Sequence, residues 1–251
     1  MKIEINQIVK SYSVKKVLDK ISISITSNSN YCLLGKNGAG KTTLINILSD
    51  FIEADSGNIK FDNLDYKNNE LEIKRNLGLL SEENFLIEEL SGFEYLNFIG
   101  KLYKISKDDL HKRIESLTSY FFDNSDDIQR TISNYSTGMK KKLMFCATVI
   151  HKPNILILDE PFSGLDPIAA NLFIEFLNRY RNNSRVIFLS SHNLNYIEKI
   201  ATHIGVLENG KLLFNGPLNL FLENGTQNID DSLLNKLGAT PSKIKEVEWA
   251  F

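Results

Sequence analysis

The stretch GKNGAGKTT, residues 35–43, places three glycines and two lysines between the apolar run YCLL and the run LINILSD. It matches the pattern G-x-x-x-x-G-K-[ST] at Gly35, Gly40, Lys41 and Thr42. Glycines here admit positive φ and close backbone approach, so successive N–H groups can converge on phosphate oxygens. A following helix adds its positive N-terminal end. The Lys41 ammonium can reach the β- and γ-phosphates, and the Thr42 hydroxyl can ligate Mg²⁺. The pattern therefore predicts a nucleotide-phosphate cradle in which Lys36, Asn37, Gly38, Ala39 and Thr43 complete the loop.

A phosphate loop by itself does not separate kinases, GTPases, helicases and motors. A second element must do that. ILILDEP supplies four apolar strand residues and then Asp159 and Glu160. An acidic residue ending a buried strand can hold the Mg²⁺ shell. An adjacent glutamate can orient and activate an attacking water. The plainer alternative is an acidic pair complementing a helix N-terminus.

The elements that must carry these residues are legible in outline. IEINQI and ISISIT alternate at period two, as half-buried antiparallel strands do. YCLL, ILIL and RVIFLSSH read as continuous apolar strands of a parallel sheet, and SGNIKFDN and NLGLLS as two further short strands. From about Ser91 to Ile150 the period becomes helical, with Phe93, Leu96, Asn97 and Gly100 on one face, then Leu110, Ile114, Leu117 and Phe121. STGMKKKLMFCATVI is a further helix with a serine or threonine cap, and PIAANLFIEFLNRY is another. IGVLENGKLLFNG reads as a hairpin turning at Asn209-Gly210. The expected fold is α/β: a P-loop NTPase with a parallel core sheet, an antiparallel β subdomain and an inserted helical subdomain.

Composition sets outer bounds. The chain has 251 residues, 42% hydrophobic and 24% charged, in the ordinary globular range. A net charge of −2 gives no global basic surface for nucleic acid. No apolar run approaches the roughly 18–20 residues that span a bilayer, and no secretory-type N-terminus is present. A cytoplasmic chain is expected, reaching a membrane only through a partner. Cys32 and Cys146 lie in apolar surroundings and are expected to be buried free thiols.

With these residues assembled, the chain resembles the nucleotide-binding subunit of an ATP-binding-cassette (ABC) transporter, from about Ile3 to Gly216. GKNGAGKTTL resembles the Walker A element and ILILDEP the Walker B element. FSGLDP resembles the D-loop, placing Gly164, Leu165 and Asp166 there, and SSHNL resembles the switch region, placing His192 at the γ-phosphate. YSTGMKKKL resembles the signature usually written LSGGQ, with Ser136, Thr137 and Gly138 as the residues that approach a second subunit's nucleotide. Tyr12 occupies the place of the aromatic that stacks on adenine.

Two departures matter. The signature has Tyr135 for Leu, Thr137 for the first Gly and Met139 for Gln. In LGLLSEENF, Glu82 stands where the family more often has glutamine. A carboxylate can still ligate Mg²⁺, but it adds charge and loses the amide donor. Both features resemble the exporter branch associated with drug and antimicrobial-peptide efflux or self-immunity.

The resemblance implies an ATPase working with ATP and Mg²⁺, a domain over 1–216 (core 1–84 and 152–216, helical part 85–151) and a tail over 217–251 without assigned role. It implies Lys41, Glu160 and His192 as catalytic, and Thr42, Asp159 and Glu82 as magnesium ligands. Two such subunits would pair head to tail and act on an integral membrane permease, received around Glu82–Phe85 and the helical insert. Nucleic acid is not expected. The rival reading is a soluble ABC ATPase of nucleic acid, translation or cofactor-assembly complexes. DNA-stimulated turnover or a soluble scaffold in a pulldown would favour it.

Overall fold

The computed structural model describes residues 1–82 and 86–238. β1 (Lys2–Tyr12), β2 (Lys15–Thr26), β3 (Ser29–Leu34), α1 (Lys41–Leu48), β4 (Ser56–Phe61), α2 (Tyr66–Arg75) and β5 (Leu77–Leu80) form the first half. α3 (Gly92–Leu102), α4 (Lys107–Phe121) and α5 (Thr137–Val149) make the helical insert. β6 (Ile155–Leu158), α6 (Pro167–Tyr180), β7 (Val186–Ser190), α7 (Leu194–Ile200), β8 (His203–Glu208) and β9 (Lys211–Pro217) return to the core. α8 (Leu218–Phe221) and α9 (Ile229–Lys236) follow.

Two sheets result. β1 pairs antiparallel with β2 and β4, and its inward row of Ile3, Ile5 and Ile8 is buried. That is the period-two pattern of the sequence expressed as one dry face. The larger sheet runs β5-β6-β7-β3-β8-β9, parallel except for the antiparallel edge strand β9. β3, β6 and β7 are buried along their whole length. Helices and the small sheet cover both faces, so these strands have no wet side and read as unbroken apolar runs. Asn209 and Gly210 join β8 to β9 with φ of 47° and 75°, the left-handed pair of a tight hairpin turn.

The parallel sheet divides the apolar interior into two cores. On one face Leu44, Ile45 and Leu48 of α1 pack with the small sheet. On the other face α3 to α7 form the larger core. There Phe145 of α5 lies 5.3 Å from Phe121 of α4 and 4.4 Å from Phe173 of α6, ring centre to ring centre. This aromatic cluster ties the insert to the core, and truncating such a ring to alanine costs about 3–5 kcal/mol.

Several elements escape the sequence pattern. α2 has a single buried residue, Ile73, so it carries no apolar stripe to read. It forms because Asp65 caps it, accepting from the Asn68 N–H at 2.9 Å. After Pro217, α8 and α9 bury Phe221 and Ile229 in the larger core. Cys32 and Cys146 are buried and free, and burial pushes both thiols well above their ordinary range. No helix among the described residues is long and apolar enough to cross a membrane.

Candidate active site

The chemistry-bearing residues leave the same edge of the large sheet. The loop 35–40 follows β3, Asp159 and Glu160 follow β6, Ser190–His192 end β7, and Glu82 follows β5. Parallel strands put all their carboxyl ends together, so segments distant in sequence converge. Part of the loop, Glu82, Asp159, Glu160 and His192 line one cleft of about 430 Å³ with Tyr12 and Val17 at its side.

Asn37, Gly38, Gly40, Lys41, Thr42 and Thr43 face this cleft. Gly35, Lys36 and Ala39 form the turn behind it: the Ala39 N–H donates to the Lys36 carbonyl at 3.1 Å. Gly40 caps α1 with φ 110°, and a Cβ there would sit 2.9 Å from the Val17 carbonyl oxygen. Only glycine fits that backbone and that gap. The Lys41 side chain is 7% exposed and donates from Nζ to the Gly35 carbonyl at 2.7 Å and the Lys36 carbonyl at 3.3 Å. Its ammonium is thus held at the mouth of the loop.

The acidic pair is equally fixed. The Ser190 hydroxyl donates to Asp159 Oδ1 and accepts from the Glu160 N–H at 3.0 Å. Glu160 adopts φ 45°, a left-handed conformation that costs a non-glycine residue of order 1 kcal/mol or more and persists only where the surroundings impose it. Its Oε1 lies 3.0 Å from His192 Nδ1 and 4.0 Å from Lys41 Nζ. One buried carboxylate therefore meets both a cation and an imidazole. Ser190 was legible only as a polar residue ending an apolar strand; its role in orienting the pair follows from β7 lying beside β6. Ser163 also lines the cleft beyond the residues singled out above.

Tyr12 ends β1, is 49% exposed and has Lys10 Nζ 5.7 Å from its ring centre. An aromatic face so placed can stack on a base. The donor set suits the expected cofactors: main-chain donors and an ammonium for phosphates, and hard oxygens from Thr42, Asp159 and Glu82 for Mg²⁺. Among the described residues no three His, Cys, Asp or Glu side chains form a ready-made metal cage. Mg²⁺ does not need one, because it usually keeps waters and takes phosphate oxygens.

The signature residues are elsewhere. Ser136 caps α5, accepting from the Met139 N–H at 3.2 Å, and lines no part of the cleft. Gly138 faces Gly164: a Cβ on Gly138 would lie 3.4 Å from the Gly164 carbonyl oxygen. A Cβ on Gly164 would in turn lie 3.2 Å from Thr137 Cγ2. So the signature stacks on the D-loop of its own chain. Leu165 donates to the Phe162 carbonyl, and Asp166 caps α6, its carboxyl held low by the Ala169 and Ile168 N–H groups. Glu83, Asn84 and Phe85, part of the surface expected to receive a partner, lie outside the described residues.

Residues 18–163 match the family described as ABC transporter. The chain belongs to the ABC transporter family. It is an ABC-type ATPase and ATP-binding subunit. Over 230 residues it is 29% identical to the ABC transporter ATP-binding protein NatA of Bacillus subtilis (strain 168), covering 91% of this chain and 93% of that protein. It is 34% identical over 213 residues to the bacitracin transport ATP-binding protein BcrA of Enterococcus faecalis, covering 84% and 68%. A solved ATP-binding subunit of an ABC transporter superposes with a TM-score of 0.87 at 25% identity, covering 94% of this ABC subunit and all of that one.

Proposed function

We propose that this subunit drives export through a separate membrane permease, by ATP-dependent closure and reopening of a pair of such subunits. The observation that carries the reading is the separation of two half-sites. Lys41, Asp159, Glu160 and His192 share one cleft, whereas Ser136–Gly138 stand outside it against Gly164. A signature that cannot reach its own cleft fits one that serves a second subunit's.

In this reading the loop amides, Lys41 and the α1 N-terminus hold the phosphates, and Tyr12 stacks on the base. Thr42, Asp159 and Glu82 would hold Mg²⁺, which when bound neutralises charge building up on the phosphate oxygens. Glu160 orients and deprotonates the attacking water. His192, 3.0 Å from Glu160, keeps that carboxylate aimed and faces the terminal phosphate. Catalysis is then mostly positioning and electrostatics. The cleft works as a clamp on which Ser136 and the α5 N-terminus of the other subunit close. The helical insert and the surface around Glu82 would receive the permease. Export, as opposed to uptake, is supported by Glu82 and by the signature sequence, both of which resemble the exporter branch.

The test is a Glu160→Gln variant, expected to bind ATP and run as a dimer only with ATP present. A monomer at saturating ATP would sink the pairing. Isolation of the subunit from its native membrane should bring an integral membrane protein with it; a soluble scaffold in its place would sink the transport assignment.

A further inference from the structure

Three consecutive lysines, 140–142, lie in the first two turns of α5, and they have different fates. Lys140 pairs with Glu88 and Lys142 with Asp123 at the surface. Lys141 between them is buried, 6% exposed, and among the described residues it has no ion-pair partner within 4.0 Å. A buried ammonium without a neutralising charge is costly, so the question is what faces it.

The packing of α5 answers. The Thr148 hydroxyl donates to the Leu79 carbonyl at 3.0 Å, and His151 Nε2 contacts the Leu77 carbonyl at 3.1 Å. The helix therefore runs back along β5, descending in residue number as the strand ascends. Lys141 lies two turns before Thr148 on the same face, about 10 Å along the axis. Glu82 lies three residues beyond Leu79, about 10 Å of extended chain. The two come level at the end of β5, where Asp159 donates its N–H to the Leu80 carbonyl at 2.7 Å. The charges felt by the Lys141 ammonium fit this placement: burial lowers its proton affinity, while Glu82, then Asp159 and Glu160, raise it.

We propose that Lys141 is a positioning residue for the ATPase reaction, whose buried ammonium balances the additional carboxylate that Glu82 brings to the magnesium end of the cleft. The proposal rests on the reading of Glu82 as a magnesium-side residue. Its physical content is that Glu82 adds a third carboxylate beside Asp159 and Glu160, that the three together attract a divalent ion too strongly, and that a fixed cation behind them weakens the site to a usable level. It also links the signature helix to the loop carrying Glu82, so the insert and the metal end move as one.

The experiment is a double-mutant cycle on the purified protein, with ATP hydrolysis measured against free Mg²⁺ for wild type, E82Q, K141Q and E82Q/K141Q. E82Q leaves the cation unopposed, and half-activation should need about threefold to tenfold more Mg²⁺. K141Q leaves the carboxylates unopposed and should shift half-activation by a similar factor to lower Mg²⁺, with slower turnover as the metal is retained. The double variant should return near wild type, and K141R should stay near it throughout. A merely structural lysine would lower the unfolding temperature without moving the Mg²⁺ curve. If K141Q leaves the curve in place, or the double variant fails to return toward the wild-type midpoint, the proposal is overturned and the Glu82 reading stands. If E82Q leaves the curve in place, that reading fails and the proposal with it. Should K141Q alone fail to fold, E82Q/K141Q is expected to fold, neither charge then being unbalanced; a double variant that also unfolds overturns the pairing.

Discussion

The cleft and the signature surface are built to different degrees of completion. In the cleft, a buried lysine, two carboxylates, a serine hydroxyl and a histidine are joined by contacts of 2.5 to 4.0 Å. Ser136 and Gly138, by contrast, hold only their own helix start and the Gly164 backbone. The first region is pre-organised within one chain. The second is a polar, positively ended helix start with little to bind inside its own subunit. In the proposed pairing, that difference in burial and bonding separates the half built within one chain from the half offered to a second.

The largest expected effect strikes the built half. Glu160→Gln should lower hydrolysis by about 10²–10⁴ while leaving ATP affinity near wild type, read by phosphate release and nucleotide titration. Lys41→Ala should lose affinity itself. Unchanged affinity there would take the ammonium out of the cradle.

The next prediction tests the division between the halves. Ser136→Ala and Lys41→Ala should each be nearly inactive alone. Mixed, they form pairs with one intact composite site, and hydrolysis should return. If the mixture stays as inactive as its components, the two regions do not complete each other across subunits.

A smaller effect concerns the seam between α5 and β5. Burial pushes His151 from the ordinary 6.5 down to about 4, and its ring stacks on Tyr103 at 3.7 Å. The folded state thus binds this proton less well than the unfolded one. Its contribution to stability is present above pH 6.5 and is lost as pH falls toward 4, about 3 kcal/mol over that window. Denaturant melts across that range should show the slope, and His151→Asn should flatten it.

The smallest effect belongs to the signature surface. Ser136→Ala removes a helix cap and should cost about 1 kcal/mol of stability. That is too little to explain a loss of turnover by unfolding, so a melt separates the structural from the functional role.

Much of this arrangement was legible in the residues. The glycine spacing, the ILILDE strand end and the Asn209-Gly210 turn are local signals with local causes, and each emerged where the pattern placed it. α2 was not legible, because a surface helix with one buried residue has no period to detect. The helices after Pro217 were hidden similarly: Phe221 and Ile229 are isolated apolar residues in a polar stretch, and only the larger core explains them.

By itself, then, the sequence determined the reactive groups and the strand or loop each stands on, since backbone freedom, periodicity and capping act over a few residues. The tertiary structure decided the rest. Ser190 acquires a role because β7 lies against β6, and Lys141 meets the Glu82 end of the cleft because α5 runs back along β5. The signature turns away from its own cleft because α5 begins beside the D-loop. Those relations join residues 26 to 59 positions apart through sheet order and helix packing, and no local pattern encodes them.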